Sequence, residues 1–577
     1  MALRLADFAR TMPRAVAVAE ALRIRAATAT HAATIDVAIS PPGYRCLSFA
    51  QLETDSTNIA AGLADLGIEP GMRLALLMRP GIDFVSLVFA LLKLGAVQVL
   101  IDPGMGLRNV VRSLAEVQPQ GFIGGTSVQA ARALCQKQFP KARYNIHVGG
   151  GWLARIPTLE LIRRRGAAQS GFKTAASTGE TPAAIIFTSG STGPAKGVLY
   201  RHGNFDRQVT EIRDFYGIRP GEVDVSCFPL FGLFNAAMGV TSIIPRMDVT
   251  RPARVDPRRI ISAVKDWNAT QAFGSPAVWN VVGRYCEAEH LRLPSLRRVF
   301  SSGAPVAAHV LRRMTACIHP QGEMHTPYGA TEALPVASIS ASAVLRETWP
   351  RTEQGAGVCV GNRFKGIQWR VIRITDGPIR DLAEVEELPR GQIGELIVRG
   401  PVVTTEYVTR TQANATAKIR DGTGNSFWHR LGDVGYLDEH DRFWFCGRMS
   451  QRVVAAAAHG TNATLFTIPC EAIFNRHPDV FRTALVGVGP QGAQTPVIIA
   501  EPQPGCYPRG PKQREKLIAD LRKLAQAGDC TTMIQNFLIR KSLPVDVRHN
   551  VKINREALAR LAARKLRPRP KSQGHNT

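Results

Sequence analysis

Ala183-Ala184-Ile185-Ile186-Phe187 runs straight into Thr188-Ser189-Gly190-Ser191-Thr192-Gly193-Pro194-Ala195-Lys196-Gly197, and Val198-Leu199-Tyr200 is apolar again. The first segment reads as a buried strand, the last resumes a strand, and the loop between them is anchored at both ends. Glycines let backbone N–H groups turn toward an anion, hydroxyls add donors, and a lysine brings a mobile positive charge to phosphate oxygens. A flexible Ser/Gly linker has a similar composition, but such a linker has no reason to lie between two buried strands. The loop is not a Walker A motif, which needs G-x-x-x-x-G-K-[ST]; here Lys196 follows Ala195 and precedes Gly197. Phosphate binding on a strand-flanked loop places the chain among α/β proteins.

The surrounding sequence agrees. Ser48 and Gln51 form a capping box, and Leu52, Ser56, Ile59, Leu63 and Leu66 repeat at helical spacing up to Gly67. A strand over Arg73–Met78, a helix over Phe84–Leu94 closed by Gly95, and a strand over Val97–Ile101 make a βαβ unit, which implies a parallel sheet with helices on its faces. The alternation continues through Gln271–Phe273 and Arg298–Phe300. After Pro389 a strand over Glu395–Arg399 precedes a hairpin whose arms, Gly435–Leu437 and Phe443–Cys446, flank Asp438–Asp441. A shorter αβ pattern begins near Ser450. The expected organisation is a domain over 1–449, a smaller one over 450–566, and a disordered basic tail over 567–577, where prolines and small polar residues show no apolar period.

A length of 577 residues exceeds what one core supports, and 45% hydrophobic residues suffice to fill more than one. The longest apolar run, Phe84–Ile101, is broken by Lys93, Gly95 and Gln98, which argues against a membrane span. The N-terminus has arginines but no sustained apolar core with a cleavage site, so a cytoplasmic location is expected. Ten scattered cysteines without C-x-x-C spacing exclude a disulfide framework and a structural zinc site, and read as reduced, mostly buried thiols. The formal charge of +26 could draw nucleic acid, anionic lipid or acidic protein, but arginine-rich composition alone accounts for it. No nucleic-acid partner is expected, and membrane association is expected to be peripheral at most.

Thr188–Gly197 resembles the phosphate loop of the adenylate-forming superfamily, which includes acyl-CoA synthetases, nonribosomal peptide adenylation domains and luciferases, with Pro194 one residue earlier than the family's proline. The resemblance implies a large N-terminal domain of layered sheets and helices and a small mobile α+β C-terminal domain. It assigns Thr188, Ser189, Gly190, Ser191, Thr192, Gly193 and Lys196 to the phosphates of ATP. Ser301-Ser302-Gly303-Ala304-Pro305 resembles the segment flanking adenine. Tyr328-Gly329-Ala330-Thr331-Glu332 resembles the central motif, in which the tyrosine stacks on adenine, the threonine meets the α-phosphate and the glutamate helps hold Mg²⁺. Leu431-Gly432-Asp433 resembles the element whose carboxylate accepts hydrogen bonds from the ribose. Gly447-Arg448 resembles the arginine that approaches ribose or phosphates, which puts the hinge at Ser450, where most relatives carry Asp or Lys. Arg548–Arg555 resembles the C-terminal lysine motif, with Val551 in place of its glycine, so Lys552 would join the substrate carboxylate to the α-phosphate. The catalytic set implied is Lys552, Thr331, Glu332 and Lys196, with ATP and Mg²⁺.

Within that superfamily, Leu100–Gly106, Tyr200-Arg201-His202, Ala333–Ile339, Phe466–Glu471 and Val545–Asn550 look most like the β-lactone synthetases of bacterial long-chain olefin biosynthesis. The branch implies adenylation of a long-chain 3-hydroxy acid, whose own hydroxyl then closes a four-membered lactone, with other enzymes of the same pathway as partners. His202 is a candidate base for that step, although opening a helix is the commoner role of such a residue. Phe228–Phe234 and Val240–Pro245 suit either an alkyl channel or core. The alternatives are a long-chain fatty acyl-CoA or acyl-carrier-protein ligase, which the substitutions over Arg452–His459 disfavour, and a noncatalytic scaffold, which the retention of Lys196, Glu332, Asp433 and Lys552 disfavours.

Overall fold

The computed structural model describes residues 1–22, 41–150, 156–188, 194–422, 426–456, 462–545 and 553–566. Ser189, Gly190, Ser191, Thr192, Gly193, Lys552 and the tail 567–577 lie outside the described residues.

A six-stranded sheet runs in the order Tyr144–His147, Gly121–Gly124, Arg73–Leu77, Val97–Leu100, Pro182–Phe187, Gly197–Arg201. Its neighbours are parallel except for the last pair. The strands that bracket the phosphate loop are therefore the two arms of one hairpin. The capping box forms as read: the Ser48 hydroxyl accepts from Gln51 N at 3.2 Å and the Gln51 side chain accepts from Ser48 N at 2.8 Å, opening the helix Phe49–Asp65. The helix Ile82–Leu94 ends at Gly95, whose φ of +73° is the left-handed conformation that glycine adopts without strain. This helix is buried on nearly every side, which explains its unbroken apolar sequence. Lys93 is buried with it, its ammonium bonded to Glu53 O, Ser56 Oγ and Thr57 Oγ1 and paired with the Glu53 carboxylate at 2.8 Å. Among the described residues no helix is long and apolar enough to cross a membrane.

A second, 14-stranded sheet carries the remaining site elements. Its parallel part includes Gln271–Gly274, Arg298–Ser301 and Glu323–Ala330. It then turns antiparallel through Ala333–Ser340, Val358–Arg363, Phe443–Arg448, Phe427–Leu437 and Gly394–Arg399. The expected hairpin around Asp438–Asp441 is present, with Asp441 at φ +56°. Its first arm begins well before Gly435, and Leu431-Gly432-Asp433 lies inside that strand rather than at its end. Against Gly394–Arg399 the register jumps from Arg430↔Ile397 to Val434↔Glu395, so these three residues bulge out of the ladder, and Gly432 supplies the φ of +68° the bulge requires.

From Val453 onward the described chain builds a three-stranded sheet (Val480–Val488, Thr495–Pro502, Asn536–Ile539) with the helices Thr467–Phe474, Pro511–Ala527 and Arg555–Leu566. Cys470, Phe474, Leu485, Ile498 and Leu521 form much of its core. Seven of the ten cysteines are buried and all are free thiols.

Candidate active site

The base of the phosphate hairpin is closed by two bonds: Thr188 N donates to Lys196 O at 3.0 Å, and Lys196 N donates to Thr188 Oγ1 at 3.1 Å. Beside it runs Glu406–Thr409. Leu199 N donates to Glu406 O at 3.0 Å, Val408 N to Gly197 O at 2.9 Å, and Gly197 N to Thr409 Oγ1 at 2.8 Å. Gly197 allows this approach, since a Cβ there would come within 3.0 Å of the Ile185 side chain and 3.3 Å of Thr409. The register sets Tyr407 under Lys196, whose ammonium stands 4.2 Å from the ring centroid. Burial lowers the pKa of Lys196, with Glu332 opposing and Arg448 adding to the shift.

The central motif forms the end of a second hairpin rather than a helix cap. Strand Glu323–Ala330 turns through Thr331 and Glu332 into Ala333–Ser340. Side chains from elsewhere in the chain hold the turn: Tyr200 Oη donates to Thr331 O at 2.5 Å, and Thr404 donates to Glu332 O from N at 2.8 Å and from Oγ1 at 3.0 Å. Tyr407 Oη donates to Glu332 Oε1 at 2.5 Å. Burial and that carboxylate push the Tyr407 hydroxyl pKa up, so it remains a donor. Glu332 is thereby fixed at its backbone and at one carboxylate oxygen.

Lys418 approaches the same corner. Its ammonium donates to Thr404 O and lies 4.7 Å from the Phe427 ring centroid. Burial brings its pKa down to about 7, with Glu332 opposing and Lys196 reinforcing the shift. His429 lies near Tyr407, with ring centroids 6.5 Å apart; burial and the Lys418 charge hold its pKa well below the ordinary value.

The bulge at Gly432 projects Asp433 toward Tyr328 and Arg448. Tyr328 Oη donates to Asp433 Oδ2, and Arg448 donates to Oδ1 at 2.5 Å. Asp433 is buried, and Arg448 is its opposite register partner in the ladder. Burial, then Asp433, pushes the Tyr328 hydroxyl far up; Asp433 raises Arg448. Each carboxylate oxygen keeps a second lone pair for an incoming hydroxyl.

Lys196, Tyr328, Thr331, Glu332, Asp433 and Arg448 are thus brought together from three strands, a turn and the base of the first hairpin. Gly303-Ala304-Pro305 follows the strand Arg298–Ser301, which pairs in parallel with Glu323–Ala330, and Gly303 takes φ +92°. Gly329 and Ala330 close the strand before the turn; a Cβ on Gly329 would lie 2.7 Å from Ala333 O. The candidate base His202 makes none of these contacts. It opens the helix His202–Tyr216, where burial and the Met1 ammonium lower its pKa to about 4, making it a weak base. Phe234, Met238 and Val240 pack with Val209, Ile218, Phe273 and Phe300 as core between that helix and the sheet.

Tyr407, Lys418, Thr404 and the hydroxyl of Tyr200 are site residues the sequence motifs do not reveal. Among the described residues no group of three or more His, Cys, Asp and Glu could hold a metal ion by itself. Mg²⁺ dehydrates reluctantly and takes one or two carboxylates together with phosphate oxygens and water. Glu332, with Oε2 clear of the bond that holds Oε1, fits that demand.

The family model described as AMP-binding enzyme matches residues 23–408. Among curated proteins, an olefin beta-lactone synthetase of Xanthomonas campestris pv. campestris is 44% identical over 90% of this chain and 91% of its own length. Another from Stenotrophomonas maltophilia is 43% identical over 91% and 92%. A 2-succinylbenzoate–CoA ligase of Bacillus cereus is 23% identical over 77% of this chain and 80% of its own. Among solved structures, o-succinylbenzoate CoA synthetase of Bacillus subtilis in complex with its acyl-adenylate intermediate superposes with a TM-score of 0.71 at 17% identity, covering 96% of this chain and 97% of that one. ATP-bound MatB from Rhodopseudomonas palustris does so with 0.72 at 19% identity, covering 98% and 99%.

Proposed function

The chain belongs to the AMP-binding enzyme family, and on that premise we propose that it adenylates a long-chain 3-hydroxy fatty acid with ATP and closes the adenylate to a β-lactone. The observation that carries the first step is the convergence of Lys196, Glu332, Tyr328, Asp433 and Arg448 on one site. The second step is supported by 43–44% identity to olefin beta-lactone synthetases along nine-tenths of the chain, against 23% to a CoA ligase.

Each residue has a role its chemistry suits. Tyr328 offers its ring to adenine, and Asp433, oriented by Arg448, accepts from the ribose hydroxyls. Thr331 donates to the α-phosphate and Lys196 faces the outer phosphates. Glu332, braced by Tyr407, would hold Mg²⁺, which when bound supplies positive charge to the pyrophosphate leaving group. Lys552 would set the substrate carboxylate against the α-phosphate. A carboxylate oxygen then bonds to the α-phosphorus as the bond to pyrophosphate breaks. Next the 3-hydroxyl oxygen bonds to the acyl carbon, AMP departs with the electron pair of the broken C–O bond, and the hydroxyl proton is released. The mixed anhydride is activated enough to offset ring strain, and intramolecular attack costs little beyond orientation.

The test is incubation with ATP, Mg²⁺ and a long-chain 3-hydroxy acid, with and without CoA, and identification of the product by NMR. A lactone formed without CoA is the expected result. A thioester that requires CoA, with no lactone, overturns the second step; absence of ATP–pyrophosphate exchange with the acid overturns the first.

A further inference from the structure

The helix Leu107–Val117 buries Val110, Leu114 and Val117 against the six-stranded sheet and turns Arg108, Arg112 and Glu116 away from it. On its flank Leu107, Val111 and Ala115 recur at helical spacing and, with Cys135, floor a surface groove of about 710 Å³. Leu107 is 66% exposed, and Leu134, next to that cysteine, is 89% exposed. Exposed aliphatic side chains grouped beside an apolar groove, rather than scattered singly, mark a surface where a partner binds.

The charge around them is one-sided. Residues 103–150 hold Arg108, Arg112, Arg132, Lys137, Lys141 and Arg143 against a single acid, Glu116. Arg410 already neutralises Glu116 at 2.8 Å, and Arg112 stands 4.0 Å from it. Arg108 and Arg112 form one rim of the groove. Projecting leucines beside a basic rim, in a segment whose charge is almost wholly positive, match the boundary between anionic headgroups and acyl chains.

We propose that this face docks the enzyme on an anionic phospholipid bilayer, with Leu107 and Leu134 inserted below the headgroups and the surrounding basic residues on the phosphates. An acidic protein would satisfy the charges but gives no reason for two deeply projecting aliphatic chains. A surface-bound enzyme would meet a long-chain acid and release a long-chain product where both partition; that advantage rests on the proposed substrate, whereas the docking itself does not.

Sedimentation of the full chain with phosphatidylglycerol vesicles and with phosphatidylcholine vesicles, without substrate or ATP, tests it. Binding to the anionic vesicles alone, weakened by added salt, is expected. Leu107→Ser with Leu134→Ser, and separately Arg108→Glu with Arg112→Glu, should each weaken it at least ~10-fold. The four positions are exposed and lie outside the nucleotide site, so ATP–pyrophosphate exchange with a short soluble acid should be unchanged, which also checks folding. Equal binding to both vesicle types, no binding to either, or anionic binding that survives both double variants overturns the proposal. So does a dimer of the wild-type chain that Leu107→Ser with Leu134→Ser dissociates, since the face would then belong to a second copy.

Discussion

The two ends of the proposed nucleotide site treat charge in opposite ways. At the end proposed for the ribose Asp433 is bonded on one oxygen by Arg448 and on the other by Tyr328. At the end proposed for the phosphates Lys196 rests on an aromatic ring, Lys418 bonds a main-chain carbonyl, and the nearby Glu332 is tied to a tyrosine hydroxyl. Ribose hydroxyls are neutral, so recognising them needs an oriented acceptor with its charge compensated before the ligand arrives. A triphosphate is an anion, and cations already paired with carboxylates would have little left to give it. The difference teaches that one end is organised for geometry and the other holds charge in reserve.

Substitutions can break that division. Lys196→Met removes reserve charge and is expected to lower the kcat/KM of ATP–pyrophosphate exchange by ~10²–10³-fold, while AMP, which lacks the outer phosphates, keeps its affinity in calorimetry. An equal loss of AMP affinity would show that the two ends are not separate. Asp433→Asn acts at the other end. AMP and ATP should both bind about 10–100-fold more weakly, as loss of charge-assisted hydrogen bonds predicts, with kcat at saturating ATP nearly unchanged. A fall in kcat as large as that of Lys196→Met would contradict the geometric role.

What could be read from the sequence divides along the same line. The phosphate loop, the turn at Thr331-Glu332 and the Gly432-Asp433 pair each put their chemistry into consecutive residues, so a short segment was enough to propose them. The conformation was less legible than the chemistry: Gly432-Asp433, which alone reads as a turn, is a bulge within a strand, because its shape depends on the register against Gly394–Arg399. Tyr407, Thr404 and Lys418 left no local mark. Tyr407 and Thr404 reach the site because Val198 pairs with Tyr407 and Ala333 with Val403, pairings between segments far apart in the chain that no periodicity announces, and Lys418 is placed by its pairing with His429. Lys93 shows the same limit from the other side. Its charge argued correctly against a membrane span, but its partners Glu53, Ser56 and Thr57 are on another helix and could be named only from the fold.

Lys418 makes the reserve measurable. With a pKa of about 7 instead of the usual 10.5, it is charged below neutrality and loses its charge as pH rises through 7. The KM for ATP should rise about tenfold across that interval, and Lys418→Arg, which stays protonated, should flatten the profile. The linkage has a definite sign. The unfolded chain binds this proton up to its higher pKa, so folding stability rises with pH between the two values. Lys418→Met, which removes the buried charge, should therefore raise Tm more at about pH 6 than at about pH 9. A mutant whose gain is the same at both would place the lysine outside the titrating site.

The smallest effect is expected from Tyr407→Phe, and it separates the two functions of one side chain. The ring under Lys196 remains, while the bond from the hydroxyl to Glu332 Oε1 is lost. One hydrogen bond to a carboxylate that still has its backbone bonds to Thr404 corresponds to about a fivefold change. Because that bond sets the direction of Glu332, the change should appear as a higher Mg²⁺ concentration for half-maximal exchange, with AMP affinity untouched. Tyr407→Ala removes the ring as well and should add a loss in ATP affinity on top of the Mg²⁺ shift. If the Phe and Ala variants were indistinguishable, the cation over the ring would contribute nothing, and the phosphate end would owe its reserve to burial alone.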